Sequence, residues 1–149
     1  MDSLTTPDGY LLPVLDDDSI GFWEATRRGM LVVQACAQCD RLRFPPRPMC
    51  PWCRSLESTW KESSGRGTIW SFVIAHPPLL PAYLQFSPYN CIVVALDDDP
   101  SIRMVGNLVA SAGAPLNSVD NSELQIGTNV KVVFDKLNDE ITLPRWIRA

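Results

Sequence analysis

The chain has 149 residues, 46% of them apolar and 20% charged, enough to bury a core in one ordinary domain or two small ones. Its net charge of −4 argues against a general polyanion binder, which is normally basic over the whole domain. No apolar run approaches the roughly 20 residues of a spanning helix, and the start, Met1-Asp2-Ser3-Leu4, lacks a basic segment leading into an apolar one; no membrane contact and a cytoplasmic location are expected.

Residues 1–18 contain two prolines, a glycine and the acidic run Asp16-Asp17-Asp18, and are read as an irregular leader. A helix is predicted from about Ser19 to Arg28. Asp18 or Ser19 would cap it, Glu24 would sit toward its positive end and Arg27 and Arg28 at its negative end, and Gly29 would stop it. From Leu31 to Trp60 the chain is dense in Cys, Pro and Arg, with short strands predicted at 31–34 and 41–44. From Gly67 onward the pattern is β: strands at 68–75, 90–96, 102–109, 129–137 and 141–146. Hairpins are expected at Asp97-Asp98-Asp99-Pro100 and at Asn138-Asp139, and one helical turn between 110 and 128. Five strands with a connection between the third and fourth suggest a small closed barrel of the OB type, with an open five-stranded sheet as the alternative. The expected organisation is leader and helix over 1–30, ribbon over 31–64 and barrel over 65–149.

The strongest signal is Cys36-Ala37-Gln38-Cys39, ten residues, then Cys50-Pro51-Trp52-Cys53. Two C-x2-C knuckles present four thiolates to one point, the donor set of a closed tetrahedral zinc site. Free or disulfide-bonded thiols, a thioredoxin-like redox pair and rubredoxin-type iron are the competing readings. In the cytosol such pairs favour a metal, no βαβ unit surrounds either pair, and nothing demands redox chemistry. One structural zinc is therefore expected. It would staple a segment too small for a core of its own.

Other candidates are weaker. Cys91 lies in an apolar strand and reads as a buried, inert thiol. His76, the single histidine, precedes a Pro-rich loop and is a candidate ligand or partner contact. Gly65-Arg66-Gly67 reads as a turn, and Asp97-Asp98-Asp99 as a solvated tip. Arg43 and Arg47, beside a Pro-rich turn, could meet a phosphate or carboxylate. Phe22 and Trp23 are adjacent on the helix and point about 100° apart, so both cannot face one small core equally, and both are expected, at least in part, at a partner interface. The competing expectation is a leader that folds back to cover the helix through Tyr10, Leu11, Leu12 and Leu15. No nucleophile–base pair or open metal site emerges, so no catalytic residue is assigned.

Taken in order, several segments carry a family likeness. They are Phe22-Trp23-Glu24, Gly29 to Cys36, Cys39, Phe44-Pro45-Pro46-Arg47, the Cys50–Cys53 knuckle, and Ser64 to Phe72. His76-Pro77, Pro88-Tyr89, Val93 to Asp97, Gly106 to Val109 and Ile126 to Phe134 follow. The chain resembles, from Ile20 onward, the thiolase-associated zinc ribbon plus OB-fold proteins, once labelled domain of unknown function 35. Asp98-Asp99-Pro100 departs from the glycine turn of many members. The resemblance implies a mainly β protein with an N-terminal helix, a rubredoxin-like zinc ribbon and a five-stranded OB-fold barrel. It also implies an accessory role beside a thiolase-like lipid-transfer-protein homologue. That complex would act on acyl-CoA or steroid-CoA thioesters, as in the retro-aldolase of steroid side-chain degradation, and in some sterol degraders the module is fused to a hydratase domain. A single-stranded nucleic-acid module, which wants a basic groove with aromatics, and a stand-alone acyl-CoA binder are the alternatives.

Overall fold

The computed structural model describes Thr6 and residues 9–149; the first part of the expected leader lies outside the described residues. Helix α1 spans Ile20–Arg27. Its start departs from expectation. Ser19 occupies the N-cap without a side-chain cap bond, and Asp16 takes the role instead. The Asp16 carboxylate accepts the Ser19 N–H at 2.8 Å and the Ser19 hydroxyl at 2.6 Å, because an Asp three residues back can close a local turn onto the helix entry. Glu24 falls outside the first turn, while Arg27 lies in the last. The stop at Gly29 is as expected. Gly29 adopts φ +73°, its N–H bonds to Thr26 O at 2.9 Å, and the Met30 N–H reaches Ala25 O at 3.0 Å. This paired arrangement closes a helix around a left-handed residue.

Two sheets follow. Strands β1 (Val32–Cys36), β2 (Leu42–Arg43) and β3 (Ser58–Glu62) form an antiparallel ribbon in the order β2-β1-β3. Strands β4 (Arg66–Ala75), β5 (Tyr89–Leu96), β6 (Arg103–Gly106), β7 (Asn129–Lys136) and β8 (Thr142–Arg148) form a second sheet in the order β6-β5-β4-β7-β8. That sheet curls until its edges meet. Leu108 makes one parallel bridge to Trp146, with Trp146 N–H to Asn107 O at 3.0 Å and Val109 N–H to Trp146 O at 2.8 Å. The result is the expected five-stranded OB-type sheet, joined along its seam by the Leu108–Trp146 bridge. β6 is shorter than predicted because the chain leaves β5 after Gly106 to reach β8. Two short 3₁₀ helices, Pro81–Phe86 and Asn121–Glu123, fill the long connections.

Strand β5 shows why this sheet forms. Its residues alternate strictly between half-buried and buried, with Asn90, Ile92, Val94 and Leu96 inward, the period-two pattern of a sheet with one covered face. Those side chains do not form a core of the barrel alone. Phe22 and Ala25 of α1 and Leu31, Val32 and Val33 of the ribbon belong to the same buried cluster as Ile69, Ile92, Val94, Met104, Val130 and Trp146. Helix, ribbon and barrel therefore share one core.

The sheet's seam also buries polar groups that bond to one another. Arg145 Nε donates to Asp135 Oδ2 at 2.7 Å, with 3% and 7% of the two side chains exposed. A second Arg145 nitrogen donates to Asn107 Oδ1 at 3.0 Å, Gly113 N–H donates to Asp135 Oδ1, and Tyr10 lies under the guanidinium, 5.0 Å from ring centroid to Cζ. Asn90 holds Leu108 at both backbone groups, donating to its O at 2.9 Å and accepting from its N–H at 2.7 Å.

Candidate metal centre

The ribbon builds its knuckles twice on one plan. In the first, Asp40 N–H bonds to Cys36 O at 3.0 Å; in the second, Arg54 N–H bonds to Cys50 O at 2.9 Å. Asp40 and Arg54 each follow the second cysteine of their pair and take positive φ, 60° and 63°. Neither is glycine, so each spends backbone strain to turn the chain. Returning bonds close both loops, Cys36 N–H to Arg41 O at 3.0 Å and Cys50 N–H to Ser55 O at 2.9 Å.

This geometry brings the sulfurs of Cys36, Cys39, Cys50 and Cys53 together, all within 4.8 Å of one another. Across the two knuckles, Cys36 Sγ lies 3.4 Å from Cys53 Sγ, and Cys39 Sγ lies 3.7 Å from Cys50 Sγ. Four thiolates about 2.3 Å from a central ion would stand roughly 3.8 Å apart, so the cluster fits a tetrahedral metal. The electrostatics agree. Cys36 is held down at about 6, chiefly by the Cys39 N–H, with the Gln38 N–H adding to it against burial. Although the Ser55 N–H favours the Cys53 thiolate, burial and the neighbouring sulfurs of Cys36, Cys50 and Cys39 push that thiol up to about 12. Four such groups cannot all ionise beside one another without a cation among them.

The remaining candidates scatter. Arg43 is 4% exposed, so its guanidinium lies inside the ribbon and not on its surface. Its Nε donates to Gln34 Oε1 at 2.7 Å and its Nη2 to Arg47 O at 3.2 Å, while its Nη1 is buried without a partner. Arg47 is exposed, and its N–H bonds to the same Gln34 oxygen at 2.8 Å. Gln34, not singled out in the sequence, is thus the strut that holds the Pro-rich turn. Its signal was a polar residue inside the run Leu31-Val32-Val33-Gln34-Ala35.

Phe22 is 6% exposed and belongs to the shared core, so its ring is internal in the chain by itself. Its surroundings explain this: Phe44 packs against it at 5.8 Å and Trp23 meets it edge-on at 5.1 Å, and ribbon and barrel cover the face assigned to a partner. Trp23 is half-buried against that core. Of the leader residues expected to fold back over the helix, Tyr10 stacks on Phe86 at 4.8 Å. His76 is exposed just beyond β4, far along the chain from the cysteines. Cys91 is half-buried, and burial raises its pKa. Asp98, read as part of a solvated tip, is a tether between the ribbon linker and the β5–β6 hairpin. No helix among the described residues is long and apolar enough to cross a membrane.

Comparison with known proteins accords with this architecture. Residues 23–58 match the ChsH2 rubredoxin-like zinc ribbon domain, and residues 60–135 the ChsH2 C-terminal OB-fold domain. A solved chain from an Ltp2-ChsH2(DUF35) aldolase is 32% identical, with a TM-score of 0.77 over 92% of this chain and 98% of that one. A probable enoyl-CoA hydratase alpha subunit of Thermomonospora curvata is 34% identical over 89% of this chain. The 3-oxo-4,17-pregnadiene-20-carboxyl-CoA hydratase alpha subunit of Mycobacterium tuberculosis is 29% identical over 94%. This chain spans only 38% and 39% of those two relatives. With ribbon and OB-fold sheet both matched in order and superimposable on a solved relative, the chain belongs to the ChsH2 family of DUF35 proteins.

Proposed function

We propose that this chain is the accessory module of a thiolase-fold acyl-CoA enzyme, the retro-aldolase that cleaves a carbon–carbon bond in a steroid side-chain CoA thioester. The observation that carries the reading is the near-complete overlap, 98%, with the ChsH2(DUF35) chain of a solved aldolase. In this reading the partner, a thiolase-like lipid-transfer-protein homologue, performs the chemistry on the acyl-CoA. Residues 31–64 are the metal-held ribbon and 65–149 the barrel, and within 1–30 helix α1 packs against both.

Zinc is the metal in this reading. Cys36, Cys39, Cys50 and Cys53 would hold it with four thiolates, and a closed set leaves no position for a water to be activated. Its contribution is to fix the two knuckles. The chain's own groups support a non-catalytic role: His76 sits on an exposed loop, and no hydrogen bond joins it to the Cys91 thiol among the described residues.

The test is an assay of the purified chain, the thiolase-like partner and their mixture on β-hydroxy steroid-CoA thioesters. Cleavage should require the mixture or the partner. Cleavage by the chain alone at the rate of the complex overturns the proposal, and turnover of an α,β-unsaturated thioester together with a hydratase subunit redirects it to the hydratase relatives.

A further inference from the structure

We infer that the cleft between the start of α1 and the open edge of the ribbon is where the partner docks. In this inference, which rests on the accessory-module reading above, it receives an apolar side chain flanked by lysine or arginine on the thiolase-like subunit. The cleft has a volume of about 420 Å³, and Asp17, Asp18, Ile20, Leu56, Pro48 and Trp60 form its walls and rim.

Three features point to such an occupant. The first is that three exposed apolar side chains meet in one recess: Ile20 is 43% exposed, Leu56 74% and Trp60 37%, around a concave floor that ends at the buried residue Gln34. The second is a preformed wall. The Trp60 indole lies on the backbone of α1 at Gly21, where an added Cβ would stand 2.2 Å from Nε1. The ring is thus held in place, and among the described residues its N–H has no hydrogen-bond partner. Trp60 belongs to β3, which among the described residues pairs with β1 alone and leaves its outer edge open.

The third feature is charge. Asp16 is committed to Ser19, but the carboxylates of Asp17 and Asp18 accept no hydrogen bond and join none of the ion pairs among the described residues. No lysine or arginine lines the cleft. Two unpaired negative charges at the rim of an apolar recess select a cationic surround for the entering side chain and repel an anionic one. That excludes a CoA phosphate as the occupant. It also makes Trp60, a residue type enriched at the centres of interfaces, the aromatic anchor near the helix in place of Phe22, with Ile20 beside it.

The test uses the full chain with an affinity tag and the thiolase-like protein that copurifies with it from its own organism, identified and then purified. Affinity is measured by titration at low and high salt for the parent, for Asp17→Lys/Asp18→Lys, for Leu56→Glu, and for Val105→Glu on the far sheet as a control. All these positions are exposed, and each variant is first shown to retain its metal and its melting temperature. The inference expects at least tenfold weaker binding for both cleft variants. The charge variant's loss should shrink at high salt, where rim charges are screened, and the control should bind like the parent. Parent-like affinity in both cleft variants overturns the inference while the accessory reading stands. Failure of the parent itself to hold a thiolase-like protein overturns that reading, and this inference with it.

Discussion

Asp98 reaches back from the tip of the β5–β6 hairpin to Ser63, its Oδ2 accepting the serine hydroxyl at 2.5 Å. The same oxygen accepts Ser64 N–H at 2.8 Å and the Ser64 hydroxyl at 3.1 Å. One carboxylate therefore fastens the linker between ribbon and barrel to the barrel's own hairpin. The Ser63 hydroxyl, above all, favours the charged form and holds this carboxyl below its ordinary range. Stability from the tether is full above the ordinary value of about 3.9 and is lost as pH falls through the lower folded value. Asp98→Ala should cost about 1 kcal/mol near neutral pH. Thermal melts of variant and parent should differ at pH 7 and converge in strong acid.

The Asp135–Arg145 pair makes a sharper prediction, because both groups are buried. Asp135→Ala leaves the guanidinium inside without its counter-charge and should cost about 3–5 kcal/mol. Replacing both, as Asp135→Leu/Arg145→Met, removes the desolvated charge altogether and should recover much of that loss. Urea unfolding of the two variants beside the parent measures the difference, and a double variant as unstable as the single one contradicts the argument.

Phe22→Ala should act on folding. The ring sits among ribbon and barrel side chains, and removing a buried Phe typically costs about 3–5 kcal/mol. Ile20→Ala, on the exposed side of the same helix, should change stability by less than about 1 kcal/mol. The comparison of their melting temperatures separates the core face of α1 from its open face.

Removing the metal should loosen more than the ribbon. β1 leads directly into Cys36 and carries Val32 and Val33 of the shared core, so untying the knuckles uncovers one end of the barrel. A strong chelator should lower the melting temperature and expose apolar surface to a hydrophobic dye, with restoration on adding zinc back. Cys36→Ser should reproduce the apo state. Because the ligands bind as thiolates, acidification should release the ion as well. An unchanged melt after complete metal removal is the outcome that contradicts this account.

Several parts of this protein were written locally and could be read locally. The two C-x2-C pairs place four sulfurs by short-range geometry, the alternation of Asn90 to Leu96 sorts inner from outer face, and Gly29 ends a helix through its own φ. What depended on distant neighbours was not legible. Ser58–Glu62 forms β3 although all five residues are exposed, so it has no apolar period to betray it; pairing with β1 makes it a strand. Arg43, Asp135 and Arg145 look like surface charges in one dimension, and only Gln34, Asn107 and Gly113 brought from elsewhere allow their burial. Phe22 and Ile20 are both apolar residues on one short helix. Which of them is core and which is surface was decided by ribbon and barrel closing on the same side of α1, since burial is a property of what arrives from the rest of the chain.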